Sequence, residues 1–260
     1  MLNKTIREHY AGSYYIITFV LSFLFLTLHF VFKSVGNYSV SFTQLAPAGA
    51  VVLVAFLSKD KTILPSIRSN LRIGLSNMTW LIAATVVPAI CIVTSSLVMS
   101  LLKITYVSWT GDVLFYILNI AAMLVGCFAE EIGWRGFLLP KLLEKYSPFI
   151  SSIIVGTLWG IWHLNFTGGI LGFVLYTITI IEMSVLMTWL YSKTNRNLFL
   201  MGIWHFIFNL LSHVFLWERF NINLFMVQSI VFGIICVFIV ALNNKEFFKF
   251  TSKRTLTREL

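Results

Sequence analysis

Residues 114–129 read "LFYILNIAAMLVGCFA", and residues 127–136 read "CFAEEIGWRG". A long apolar run therefore ends in Glu130, Glu131 and Arg135, three charges within six positions. A charged residue at the centre of a membrane helix costs about 2.5–3.5 kcal/mol on insertion scales, and a Leu-like residue returns only about 0.3–0.6 kcal/mol. Three such charges cancel most of the apolar gain of one span. They cannot face lipid; they must turn toward the interior of a helical bundle or sit at its mouth.

Lipid is the solvent the composition demands. Hydrophobic residues make up 58% of the 260-residue chain and charged residues 11%, with a mean hydropathy of +0.87. A soluble domain carries roughly 25% charge, and a chain this apolar cannot hide its surface in one soluble core. A hydrocarbon core takes about 20 apolar residues per helix. Eight stretches qualify, at roughly 13–32, 41–58, 78–102, 113–139, 149–167, 170–191, 198–217 and 222–242. The first follows Lys4 and Arg7, as a signal peptide would. Its apolar run is too long for such a segment and no A-x-A site follows, so it reads as a retained helix. The expectation is an all-α polytopic bundle with an intramembrane polar cavity, residues 1–260 forming one domain.

Basic residues orient it. With eight spans, one side collects Lys4 and Arg7, then Lys59, Lys61, Arg68 and Arg72, then Arg135, Lys141 and Lys145, then Lys193 and Arg196, and finally Lys245, Lys249, Lys253, Arg254 and Arg258. The other side holds Lys33, Lys103 and Arg219. That asymmetry supports the span count independently of hydropathy and places both termini in the cytoplasm of a cell-membrane protein. It also accounts for the net charge of +9, with anionic lipid as a natural partner of the basic tail. No nucleic-acid module is present. Cys91, Cys127 and Cys236 fall in apolar spans without C-x-x-C spacing and read as small packing residues.

Helical spacing sorts the three opening charges. Glu131 and Arg135 stand at i and i+4 and can pair on one face. Glu130 is turned about 100° away, is not paired within its own helix, and is free to act as a general base. "WGIWH" (159–163) brings His163 into the fifth span, and "HFIFN" (205–209) puts His205 and Asn209 on one face of the seventh. The chain turns near Ser147, and Glu130 and His163 are nearly equidistant from that turn, so an antiparallel hairpin sets them at similar depth. His205 and Asn209 can reach the same level from their own loop. Together these groups form a hydrolytic kit: a base for water, a His to orient it, and a His and an Asn to donate to a developing oxyanion. No serine is tied to a His/Asp pair and no G-x-S-x-G occurs, which favours direct attack by water.

E-E-x-x-x-R, then aromatic-x-x-x-H, then H-x-x-x-N, in order on successive helices across residues 113–216, resembles the CPBP (Abi) intramembrane endopeptidases, relatives of the type II CAAX prenyl proteases. The resemblance implies eight helices and a glutamate-dependent intramembrane protease. Glu130 then corresponds to the water-activating glutamate assisted by His163, His205 and Asn209 to the oxyanion hole, and Glu131 and Arg135 to supporting residues. Trp159 stands where the family often has Phe, and a packing difference is expected there. Substrates implied are membrane-associated peptides or proteins. Similar proteins serve bacteriocin self-immunity, peptide-signal maturation or cell-surface regulation. No cofactor is expected.

Two alternatives share the residues. His163, His205 and a Glu suit Zn²⁺, which takes three protein ligands and an open position, although no H-E-x-x-H is present. A non-proteolytic immunity or binding protein, or a transporter, could use the same polar cavity. Glu182, in the sixth span, is a candidate second carboxylate, and His213 lies two turns beyond His205. Asn165 with "TGG" (167–169) reads as a turn.

Overall fold

The apolar stretches fold as helices that pack lengthwise, and only lipid can cover what they leave outside. The structure, a computed structural model, describes residues 2–31, 42–73, 78–103, 113–216, 221–242 and 247–249. Basic residues Lys33, Arg219, Lys245, Lys253, Arg254 and Arg258 lie outside the described residues. The helices are α1 (Leu2–Glu8), α2 (Tyr10–Val31), α3 (Ala46–Ser58, preceded by a 3₁₀ turn at Phe42–Leu45), α4 (Ile63–Asn70), α5 (Met78–Leu101), α6 (Val113–Gly133), α7 (Leu139–Leu143), α8 (Pro148–Trp162), α9 (Gly169–Lys193), α10 (Leu198–Leu216) and α11 (Ile222–Leu242). No strand occurs among the described residues.

Among the described residues, six helical segments are long and apolar enough to cross a membrane: Tyr10–Leu28, Met78–Leu101, Tyr116–Leu143, Gly169–Lys193, Leu198–Leu216 and Ile222–Leu242. Two more, Phe42–Ser58 and Pro148–Trp162, are apolar but shorter. Each of the eight expected stretches overlaps one of these segments, six of them of full crossing length, and the stretch expected at 149–167 leaves the helix after Trp162. Outward faces carry Ile16, Val20, Phe56, Ile82, Leu97, Ile234 and Val237 in exposed positions, an apolar surface far beyond what a water-soluble monomer shows. The chain is an all-α polytopic membrane protein.

Helix α8 packs along α9, α10 lies against both α5 and α6, α11 covers α9, and α3 bridges α2 and α6. Two close approaches fix the helices that carry the polar motifs. A Cβ on Gly202 would sit 2.6 Å from the Phe128 ring, so only glycine lets α10 come this near α6. Likewise a Cβ on Gly156 would meet Ile181 Cα at 2.6 Å, which draws α8 onto α9.

The basic loops converge at one end of the bundle. Arg7 donates from Nε to Ser58 O and from Nη2 to Lys59 O, at 2.8 and 2.9 Å. Arg72 Nη2 donates to Asn195 O at 2.8 Å, and Asn197 Nδ2 returns a bond to Arg72 O at 3.0 Å. The ammonium of Lys141 lies 4.6 Å over the Tyr10 ring, and Phe149 N–H donates to Phe247 O at 3.0 Å. Among the described residues, direct contacts thus tie the N-terminal segment to the α3–α4 connection and to α7, and the α4–α5 connection to the α9–α10 connection, all of which carry basic side chains.

Pro140 lies inside a helical segment without ending it. Residues Trp134–Leu138 form a π-helical turn, Leu139 N–H bonding back to Trp134 O, and the helix resumes as α7. A proline ring clashes with the carbonyl four residues back in a regular helix; the wider π turn directly before Pro140 absorbs that conflict. The chain then reverses at Ser147, whose side chain accepts from Ile150 N–H at 3.3 Å and caps α8, with Pro148 in its first turn. At 15 residues, α8 is only about 22 Å long, short of a hydrocarbon core of about 30 Å. His163 stands at the end of this short helix. The turn read at 165–169 follows: Asn165 Oδ1 accepts from Thr167 N–H at 3.1 Å, and Gly168 and Gly169 take φ of 81° and 72°.

Candidate active site

Four helical segments bring the charged and polar side chains of the three motifs together. Glu130 and Glu131 end α6, Arg135 lies in the π turn, Trp159 and His163 end α8, and His205 and Asn209 face inward from α10. Glu130 and Glu131 are each 1% exposed and Arg135 is 0% exposed, so none of the three charges reaches lipid.

Glu131 is the hub of one half. Its Oε1 accepts from Arg135 Nη1 at 3.0 Å and from His205 Nδ1 at 3.0 Å. The i, i+4 pair read from the sequence is in place, and His205 joins it from 74 residues away. A carboxylate can only accept, so His205 Nδ1 carries its proton. The opposite ring nitrogen then donates only when the ring holds both protons. One turn along the same pair of helices, Asn209 Nδ2 donates to Cys127 Sγ at 3.3 Å, which leaves the second amide proton for another acceptor. His205 and Asn209 thus face α6 side by side.

Trp159 is the hub of the other half. Its indole Nε1–H donates to Glu130 Oε2 at 2.8 Å. Glu130 takes no part in the Glu131–Arg135 pair of its own helix, and its hydrogen-bond partner comes from another helix. The same indole lies beneath the Arg135 guanidinium, with Cζ 4.3 Å from the ring centroid, and meets the His205 ring edge-on at 5.1 Å and 77°. Its backbone carbonyl accepts from His163 Nδ1 at 2.8 Å. His163 Nδ1 therefore holds a proton, and in the neutral ring Nε2 presents a lone pair. Trp162 and Tyr176 pack edge-on against the His163 ring at 5.0 and 5.4 Å and fix its plane.

Several buried polar atoms at the site have no hydrogen-bond partner among the described residues: Glu131 Oε2, Arg135 Nε and Nη2, Trp134 Nε1 and Tyr14 Oη. Such groups are costly unless something polar reaches them. Tyr14, on α2, was not singled out in the sequence; its ring packs edge-on against Trp134 at 5.8 Å. Among the described residues no three His, Cys, Asp or Glu side chains group as metal ligands.

Other candidates sit elsewhere. Glu182 turns toward α11, where it lines a lateral cavity of about 630 Å³ with Gly233, Cys236 and Phe149, and takes no part in the cluster. His213 Nδ1 bonds to the Asn209 carbonyl at 2.8 Å. All three cysteines are free and buried.

A family model described as Rce1-like, the type II CAAX prenyl endopeptidases, matches residues 112–211. These residues include all three motifs and every member of the cluster just described except Tyr14. The CAAX prenyl protease 2 of Methanococcus maripaludis is 30% identical to this chain over 100 residues, 34% of this chain and 37% of the relative. The alignment thus spans about a third of each protein. Over residues 112–211 the chain is thus similar to the type II CAAX prenyl endopeptidases.

Proposed function

We propose that this protein is an intramembrane endopeptidase that hydrolyses a peptide bond in a membrane-associated peptide or protein by direct attack of water. The supporting observation is the buried pairing of Glu130 Oε2 with the Trp159 indole beside His163 and His205, which engages one carboxylate oxygen and keeps Glu130 out of the Glu131–Arg135 pair. In this reading Glu130 Oε1 takes a proton from water, and His163 Nε2 accepts the water's second hydrogen and so orients the oxygen. The hydroxide adds to the carbonyl carbon. His205, doubly protonated, and the spare N–H of Asn209 donate to the oxyanion. Collapse of the tetrahedral intermediate breaks the C–N bond, and Glu130 returns its proton to the departing amine. Glu131 and Arg135 hold His205 and the indole in place.

The convergence of Lys- and Arg-bearing loops at one end of the bundle favours that end as the cytoplasmic one, which puts both termini there. Lipid and a membrane-borne peptide are the partners implied; maturation of a peptide signal or self-immunity to a peptide toxin are processes that such an activity serves. The reading is metal-free, with the motif region 113–216 as the catalytic core of a single domain. Glu130→Ala tests it against a binding or transport role. The variant is expected to fold, insert and lose its biological effect; full effect without the carboxylate contradicts proteolysis.

A further inference from the structure

We infer that Trp159 is a positioning residue that fixes the Glu130 carboxylate through Oε2, keeps Oε1 as the reacting oxygen, and ties it to the Glu131–Arg135 pair. The inference rests on the protease reading for its kinetic consequence but on the geometry for its substance. Glu130 makes no contact with Arg135 or Glu131 through a hydrogen bond or ion pair among the described residues. What connects them is one indole. Its N–H holds Glu130 at 2.8 Å, and its face holds the Arg135 guanidinium at 4.3 Å. Arg135 is in turn held by Glu131 at 3.0 Å. The order Glu131, Arg135, Trp159, Glu130 is a continuous path of charge-assisted and cation–π contacts through fully buried side chains.

A carboxylate on a flexible side chain can present either oxygen, and a single directed donor removes that freedom. Phenylalanine at 159 would keep the stacking surface for Arg135 and the edge contact with His205 but has no N–H to offer. The tryptophan of this chain therefore does what a phenylalanine there could not: it engages Oε2 and leaves Oε1 for the reaction. The backbone of the same residue sets the His163 tautomer, so one residue prepares both the base and the water-orienting imidazole.

Two substitutions isolate the N–H. Trp159→Phe removes it with part of the ring; Trp159→benzothienylalanine replaces it by sulfur in a two-ring side chain of the same shape. Both are assayed on a peptide that the wild type cleaves and Glu130→Ala does not. The infrared carboxylate stretch of Glu130, identified by its loss in Glu130→Gln, is recorded in parallel. Loss of a hydrogen bond to a charged group corresponds to about a 10- to 100-fold effect. The expected result is a fall of that size in kcat with KM within about twofold, in both variants, together with a shifted carboxylate band. An unchanged band, or a kcat retained within twofold in the benzothienylalanine protein, overturns the inference. If no Glu130-dependent cleavage exists, the protease reading fails, and the band alone decides whether Trp159 anchors Glu130.

Discussion

His205 Nδ1 and Arg135 Nη1 meet the same oxygen of Glu131, each at 3.0 Å. One carboxylate thereby couples the π turn after α6 to the inward face of α10. Glu131 Oε1 is satisfied twice while its Oε2 has no partner among the described residues, so the residue is anchored and asymmetric rather than buried in a closed ion pair.

Glu131→Ala leaves Arg135 as a buried charge without its counterion. Breaking such a pair costs about 3–5 kcal/mol, and a marked drop in Tm of the detergent-solubilised protein is expected. Glu131→Gln keeps an oxygen acceptor and loses less stability, yet it withdraws the negative charge beside His205 and lowers kcat. Thermal unfolding and kinetics on the two variants separate these effects; equal Tm in both variants and the wild type contradicts the pairing.

Asn209 carries its side chain on Cys127 Sγ, a weak acceptor. Asn209→Ala therefore costs little stability, about 1 kcal/mol, but removes an oxyanion donor, for which losses of about 10²–10³ in kcat are typical. Steady-state kinetics should show the loss in kcat with KM nearly unchanged. Cys127→Ser, by contrast, is expected to leave kcat within a fewfold.

Outside the membrane spans, Asp60 is held at a pKa of about 2 by the Thr62 hydroxyl, with further lowering from the Thr62 backbone N–H, Tyr10 and Arg7. Its Oδ2 accepts from Tyr10 Oη at 2.7 Å and its Oδ1 from Thr62 Oγ1 at 2.6 Å. A folded-state value below the unfolded one of about 3.9 means that the stabilisation is complete above pH 4 and lost as pH falls toward 2. Asp60→Asn should lower Tm at pH 7, and the gap between variant and wild type should narrow through that window. A gap independent of pH contradicts the assignment.

The donor set predicts that chelation leaves activity intact. On the proposed metal-free reading, protein dialysed against a strong chelator is expected to keep its kcat, and its bound zinc to be well below one per chain. Zinc at one equivalent that rises and falls with activity contradicts the metal-free mechanism.

Much of this was legible in the sequence because hydrophobicity and helical period are local. The eight apolar stretches, the Glu131–Arg135 spacing and the shared face of His205 and Asn209 require only counting along one helix. What counting misses is the partner on another helix. Trp159 and Glu130 are 29 positions apart, and nothing in "WGIWH" says that the indole turns its N–H toward a carboxylate instead of packing as a ring. The π turn escaped for a related reason: Pro140 signals a conflict, but whether a helix ends, kinks or widens depends on what packs beside it. Tyr14 was invisible because a tyrosine in an apolar span looks like any other aromatic residue until its neighbours are known.

The central claim is that Glu130 drives hydrolysis of a peptide bond at the membrane. Comparing new peptide termini in membranes bearing wild type or Glu130→Gln, at equal expression and with equal Tm, tests it most directly. A small set of cleaved peptides is expected with the wild type and none of them with the variant. Identical termini in both membranes would contradict it.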